Sequence, residues 1–357
     1  MHLDQLPTPF LAVDLDRLEK NLARWQGVIG GAGRRFRPHA KTHKTIEIAR
    51  LQLAAGAAGL TVAKPAEAEV YADAGVRDLV VAYPVIGEDR WRRLADLAAR
   101  VRLGVNVESE PAAHGLSAAA DERGSTIGVH IDVDSGLGRC GVPADQPDRF
   151  RKLAALVREL PGLRLDGVTT YRGLAGANGL DPAAAGREEG ELVASLARRN
   201  GLQASAGSTP TGMAVAAVEG VDEVRAGTYV FNDLMQQAAG AAGEDDLALT
   251  VQATVVSVNR PGRVTVDAGS KTLSGDATVA LAEGRAYARS DDGAIVIDGL
   301  TEEHGVGTAA RRAELGTRVA LVPAHVCTCV NLSDELVCHR GGEVQAVWPV
   351  VARGKRT

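Results

Sequence analysis

The sequence predicts an α/β protein: an N-terminal (β/α)8 TIM-like barrel followed by an antiparallel β domain. Three observations carry that expectation. Short apolar or β-branched runs alternate with amphipathic stretches up to about residue 235. These units recur at spacings of roughly 20–35 residues, and six or more of them in that length suit a closed barrel better than an open sheet. Beyond about residue 245 the texture changes to short alternating runs broken by turn residues, as in an antiparallel sheet.

Along the chain, Phe10, Leu11, Ala12 and Val13 read as the first strand. Residues 14–29 read as a helix, because Leu15, Leu18, Leu22 and Trp25 recur every three or four positions and share one face. Further strands are read at 59–63, 78–83, 102–107, 127–133 and 165–171. In the second half the runs at 247–259, 263–267, 294–297 and 318–322 read as strands, with turns at Pro261-Gly262, Asp291-Asp292-Gly293 and Gly341-Gly342. The Ala- and Gly-rich stretch 238–246 reads as a linker. Domains are therefore placed at 1–240 and 241–357, with the first strand free to pack with the C-terminal domain.

Composition narrows the class. In 357 residues, 45% hydrophobic and 24% charged side chains exclude a disordered or fibrous chain. A net charge of −5 argues against a nucleic-acid binder. No apolar run approaches the ~20 residues that span a bilayer. The first seven residues lack a basic region followed by an apolar stretch, so a cytoplasmic protein without a membrane partner is expected. Four cysteines do not make a disulfide framework, and Cys140 and Cys338 read as structural.

Four stretches carry chemistry. Arg37-Pro38-His39-Ala40-Lys41-Thr42-His43-Lys44 places amines and imidazoles at a strand end, where a lysine can form a Schiff base with a carbonyl cofactor. Without a ligand the same cluster is a solvated basic turn. The stretch from Asp132 to Gly141 is a Gly-rich turn whose Arg139 can donate to an anionic oxygen. Gly207-Ser208-Thr209-Pro210-Thr211-Gly212, with Arg225-Ala226-Gly227-Thr228-Tyr229, offers hydroxyls and backbone amides for a phosphate, or else an ordinary strand–helix turn. Finally, in Pro323-Ala324-His325-Val326-Cys327-Thr328-Cys329, His325 and Cys327 would share a face if the segment is a strand. Imidazole and thiolate so placed suit zinc, with Cys329 as a competing ligand.

Taken in this order, the stretches resemble the D-serine dehydratase / D-threonine aldolase family, fold type III pyridoxal-phosphate enzymes with an alanine-racemase-like barrel. Further matching stretches are Pro7-Thr8-Pro9, residues 267–274 and Glu302-Glu303-His304-Gly305, so the resemblance covers nearly the whole chain. It implies Lys41 as the Schiff-base and catalytic lysine, in the Pro-His-x-Lys pattern that also holds His39. It implies Arg139 at the cofactor's phenolic oxygen and Tyr171 facing its ring. Ser208, Thr209, Gly227 and Thr228 are implied around the phosphate, with Tyr229 close by. His325 and Cys327 are implied as ligands of a divalent metal, Zn2+ in preference to Mn2+ or Mg2+ because a thiolate is soft. A homodimer is implied as well.

The activity expected from the resemblance is lyase chemistry on small D-β-hydroxy amino acids such as D-serine or D-3-hydroxyaspartate. Dehydration to a keto acid and ammonia is weighed against retro-aldol cleavage to glycine and an aldehyde. The aldolases of this family follow the strand-end Tyr with x-Gly-His; here the residues are Tyr171-Arg172-Gly173-Leu174, and Leu174 cannot take a hydroxyl proton. Elimination is therefore expected, with Arg172 and Leu174 altering the pocket. An amino-acid racemase or a non-catalytic pyridoxal-phosphate carrier are the other readings, and the His325/Cys327 pair speaks against both.

Overall fold

The computed structural model describes residues 1–173, 179–281 and 284–357. Its first strand, β1 (Phe10–Asp14), belongs to a β unit made of Met1–Arg24, Thr42–Glu47 and Thr228–Arg353. The remaining segments, Trp25–Lys41, Ile48–Gly227 and Gly354–Thr357, form a barrel unit.

The barrel strands are β2 (Arg35–Phe36), β3 (Leu60–Val62), β4 (Asp78–Val81), β5 (Arg102–Val107), β6 (Ile127–Asp134), β7 (Val142–Pro143), β8 (Leu163–Thr170), β9 (Gln203–Ala206) and β10 (Glu223–Val224). Eight of them pair in the order β2-β10-β9-β8-β6-β5-β4-β3, every pair parallel, with β7 added beside β6. A parallel bridge between His39 and Thr61 links the chain beyond β2 to β3, so the order returns on itself. Helices follow most strands, which is why Leu60, Val62, Leu79, Val81, Val105 and Val107 are buried: their strands are covered on both faces. The helix Pro182–Asn200 shows how local chemistry sets its limits. Asp181 accepts from the Ala184 amide at 2.8 Å at its start, and Gly201, at φ 64°, closes it in the left-handed conformation.

The barrel interior is not wholly apolar. Buried Glu223 accepts from Arg37 Nε at 2.8 Å and from Ser205 Oγ at 3.0 Å, while Arg37 Nη1 reaches Asp78 at 2.7 Å. Burial alone would raise the Glu223 pKa, but Arg37, then His130, hold it below the ordinary carboxylate range. Glu223→Ala should therefore cost about 3 kcal/mol, because it removes the buried carboxylate on the Arg37 guanidinium and leaves that cation to the partly exposed Asp78. The sign with pH is fixed by the depressed pKa: the stabilisation is present above the ordinary carboxylate pKa and is lost as pH falls through the lowered one. Urea titrations of both proteins from neutral to acid pH check this; equal midpoints at neutral pH would refute it.

The β unit continues with β11 (Leu249–Ser257), β12 (Arg263–Val266), β13 (Thr278–Leu281), β14 (Gly284–Ala286), β15 (Ala288–Ser290), β16 (Ile295–Leu300), β17 (Gly305–Ala309), β18 (Arg318–Pro323), β19 (Glu335–Arg340) and β20 (Glu343–Pro349). Its main sheet runs β12-β17-β16-β15-β18-β11-β1-β19-β20, and a β11–β12 pairing closes six of these strands into a ring. All pairs are antiparallel except β1 with β19. The alternation read in the sequence is visible in β11, where Leu249, Val251, Ala253 and Val255 are buried and the residues between them are not. The stretch read as a linker is fastened: Asp246 is buried, and its carbonyl accepts from Asn21 at 2.8 Å and from Asn232 at 3.0 Å. Among the described residues no helix is long and apolar enough to cross a membrane.

Candidate active site

In the barrel unit the singled-out residues lie beyond the C-terminal ends of five strands that are consecutive in the sheet. Along β6-β8-β9-β10-β2 these are Arg139, Tyr171, Ser208 with Thr209, Gly227, and His39 with Lys41. Parallel strands place all these ends on one rim. The rim is tied together by backbone: the Arg225 amide donates to Ala206 O at 3.0 Å and the His39 amide to Ala226 O at 2.8 Å. Lys41 is half-buried, and its amide meets His39 Nδ1 at 3.4 Å.

The turn after β6 is shaped by Asp134, whose Oδ1 accepts from the amides of Gly136 and Leu137 at 2.9 Å and of Gly138 at 3.1 Å. A side chain at Gly141, φ 109°, would lie 2.5 Å from the Asp134 amide nitrogen, so only glycine closes this turn. Arg139, at its far side, places its guanidinium 4.9 Å from the Tyr171 ring centroid. Two residues assigned to one cofactor thus meet in space.

Ser208 and Thr209 are nearly buried. Behind them sits a carboxyl group that the sequence reading missed. Glu189 accepts from the Gly207 amide at 3.1 Å and from the Thr211 hydroxyl at 2.8 Å, and Thr211 Oγ1 lies 2.9 Å from Ser208 Oγ. Burial pushes the Glu189 pKa up, against the pull of these donors and of Arg225. Deeper in the barrel, burial raises Asp132 and lowers Arg225, which donates to the Thr169 hydroxyl and to Thr170 O at 3.2 Å. Burial also takes His130 down to about 4, so it is neutral at physiological pH.

In the β unit, His325 and Cys327 do not lie on a strand as expected. β18 ends at Pro323, and His325 is the N-cap of the helix Val326–Leu332. The buried Asp233 carboxylate accepts the Val326 amide at 3.0 Å, giving the helix a partner at its first turn and ending the extended run. The two side chains still meet. Burial disfavours the imidazolium, but a hydrogen bond and charge from Cys327, with Asp233 and Asp276, push His325 up to about 10. His325 Nδ1 lies 2.7 Å from Asp276 Oδ2, and Cys327 Sγ lies 3.2 Å from the Thr42 hydroxyl and 3.7 Å from that of Thr228.

Cys329, read as a competing ligand, is buried; its thiol donates to Leu273 O at 3.1 Å, and burial pushes its pKa up. Thr228 and Tyr229, expected at the phosphate, lie in the β unit within the turn Thr228–Val230, and Tyr229 is buried. Lys44, the other lysine of the Arg37 to Lys44 stretch, is in the β unit with its ammonium 3.4 Å from Ala352 O. The Arg172 guanidinium, expected to alter the pocket, pairs with Glu188 at 2.6 Å, and Leu174 lies outside the described residues.

Residues 13–234 match the family model of the alanine racemase N-terminal domain, and residues 248–339 match a serine dehydratase domain. D-threo-3-hydroxyaspartate dehydratase of Delftia sp. is 35% identical, over 90% of this chain and 91% of that protein. The chain belongs to the D-serine dehydratase / D-threonine aldolase family. Within this family, D-threonine aldolase of Arthrobacter sp. is 33% identical over 99% of this chain and 94% of its own. The crystal structure of D-threonine aldolase from Filomicrobium marinum superposes with a TM-score of 0.90 at 32% identity, covering 99% of this chain and 98% of that one. Solved structures of D-threo-3-hydroxyaspartate dehydratase include an alanine variant of a histidine, and an alanine variant of a cysteine two residues later in a metal-free form.

The chemistry of the donors fits both groups that the family implies. Hydroxyls, amides and a lysine amine on one rim suit a phosphorylated carbonyl compound. An imidazole and a thiol suit Zn2+, and with two protein ligands other coordination positions stay open. Among the described residues no group of three or more His, Cys, Asp or Glu side chains is placed to hold a metal. Glu189, Asp276 and Asp233 were not legible as site residues, and Thr211 was legible only as one hydroxyl of the Gly207 to Gly212 stretch. Glu189 stands in the run Arg187-Glu188-Glu189-Gly190-Glu191, where nothing marks the one carboxylate that is buried.

Proposed function

We propose that this lyase-family protein dehydrates D-β-hydroxy amino acids, of the D-serine or D-3-hydroxyaspartate kind, to a keto acid and ammonia. The observation that carries the reading is the His325–Cys327 pair, a nitrogen and a sulfur donor with the same spacing as the histidine and cysteine replaced in structures of D-threo-3-hydroxyaspartate dehydratase. The absence of a base at Leu174 supports it from the sequence side.

When bound, pyridoxal phosphate supplies an electron sink for charge at the substrate's α-carbon, and a divalent metal supplies Lewis acidity. Lys41 would provide the amine that attaches the cofactor and, once displaced, would take the α-proton from the face it occupies. Ser208, Thr209 and Gly227 would bind the phosphate, and Arg139 with Tyr171 would orient the ring. His325 and Cys327 would hold the metal. A cytoplasmic homodimer belongs to the same reading. Cleavage to glycine and an aldehyde is the second reading, favoured by the likeness to the Arthrobacter and Filomicrobium aldolases.

Incubation with D-serine, D-threonine and D-3-hydroxyaspartate separates the two. Keto acid and ammonia in equal amounts should dominate the products. Glycine with an equal amount of aldehyde as the main products would overturn dehydration.

A further inference from the structure

Behind the Ser208 hydroxyl runs a chain of hydrogen bonds whose direction is decided by one carboxyl group. Glu189, fully buried on the helix Pro182–Asn200, accepts at Oε1 from the amides of Gly207 at 3.1 Å and Arg172 at 3.3 Å. At Oε2 it accepts from the Thr211 hydroxyl at 2.8 Å. Thr211 Oγ1 in turn lies 3.0 Å from the Ser208 amide and 2.9 Å from the Ser208 hydroxyl.

A carboxylate is an acceptor only, and a hydroxyl has a single proton. With Glu189 ionised, the Thr211 proton is committed to Oε2. Between the two hydroxyls Ser208 must then be the donor, and its oxygen turns only lone pairs toward anything beyond it. One proton added at Oε2 reverses the two hydroxyl links, while the Ser208 amide goes on donating to Thr211 Oγ1. Glu189 donates to Thr211, Thr211 donates to Ser208, and the Ser208 proton is released to point outward. Oε1 keeps both amides throughout, so the reversal needs no movement of heavy atoms.

We propose that Glu189 is a positioning residue whose protonation decides whether Ser208 can donate to the cofactor's phosphate. This rests on the reading of Ser208 as a phosphate-binding residue. Burial favours the protonated form of Glu189, and Arg225 is the charged group that opposes it. Glu188, the next residue on the helix, is paired with the Arg172 side chain. Anion binding at Ser208 is therefore coupled to uptake of a proton at Glu189, and it weakens as pH rises through the Glu189 titration.

Glu189→Gln mimics the protonated state, because the two amides hold its carbonyl at the Oε1 position and its NH2 donates to Thr211. Pyridoxal 5'-phosphate is titrated into wild type and E189Q, each as the full chain, with the Schiff-base absorbance as readout across pH. The ratio of the two dissociation constants cancels the titrations of phosphate and lysine. The wild type should match the variant at acid pH and bind about tenfold more weakly at alkaline pH, the size of one charge-assisted hydrogen bond. Pyridoxal, which lacks the phosphate, should show no such divergence.

Parallel curves for the two proteins overturn the proposal, and so does the same divergence with pyridoxal. If E189Q does not fold, Thr211→Val cuts the same relay and should remove the pH-dependent component; retention of the wild-type curve overturns the proposal too. A wild type that shows no Schiff-base band with either compound at any pH overturns instead the reading of the site on which the proposal rests.

Discussion

Lys41→Ala should abolish the Schiff-base absorbance and lower turnover by a thousandfold or more, on the order of what a group serving both attachment and proton transfer contributes. Lys41 follows His39 at the C-terminal end of a barrel strand, on the rim that also carries Ser208, Gly227 and Tyr171. Other lysines are engaged elsewhere. The Lys44 ammonium faces Ala352 O in the β unit, and Lys64 lies 3.3 Å over the Tyr83 ring. Lys44→Ala should therefore keep the absorbance, although it removes a buried hydrogen bond and should lower the thermal midpoint. An absorbance lost in Lys44→Ala and kept in Lys41→Ala would reverse the assignment.

Chelation, or Cys327→Ala, should stop the proposed dehydration while the Schiff-base absorbance persists, because the proposed lysine and the proposed metal donors are different residues. Removal of one of the two proposed protein donors should weaken metal binding by at least the roughly 10–100-fold that loss of an outer-shell partner costs. Both donors must lose protons to bind, so affinity should fall as pH falls. Cys327→Asp should shift preference toward Mn2+ or Mg2+, whose hard character suits a carboxylate oxygen. Metal content by elemental analysis, beside product assays, checks each point. A metal-free protein with full activity would remove the metal from the reaction.

Much of the fold was legible for a simple reason. Barrel strands such as β5 and β6 are buried on both faces and read as apolar, β-branched runs in which only Asn106, His130 and Asp132 are polar and buried, whereas β11 has one buried face and alternates. The shortest barrel strands gave no such signal. Arg35–Phe36 and Glu223–Val224 are two residues long, and their polar members, Arg35 and Glu223, exist to pair. No hydrophobic periodicity can show in two residues. The expected strand at His325 failed for the opposite reason: a β-branched run continued on paper, but Asp233, some ninety residues earlier, supplies the acceptor that lets a helix begin at Val326.

What the sequence determined by itself was local and chemical. It named the βα pattern, the glycine-closed turn at Asp134 to Gly141, the lysine at a strand end and the His-x-Cys pair, because each is written in adjacent residues. What only the tertiary structure decided was which distant groups meet. Phe10–Asp14, at the start of the chain, became a strand between β11 and β19, since a sheet is completed by whichever strand satisfies its open edges. Glu189 became the carboxyl behind Ser208, and Asp276 the partner of His325 Nδ1. Periodicity reports which face of an element is buried. Pairing between elements is set by burial and by the need of every buried donor and acceptor for a partner, and that is settled only when the chain has closed on itself.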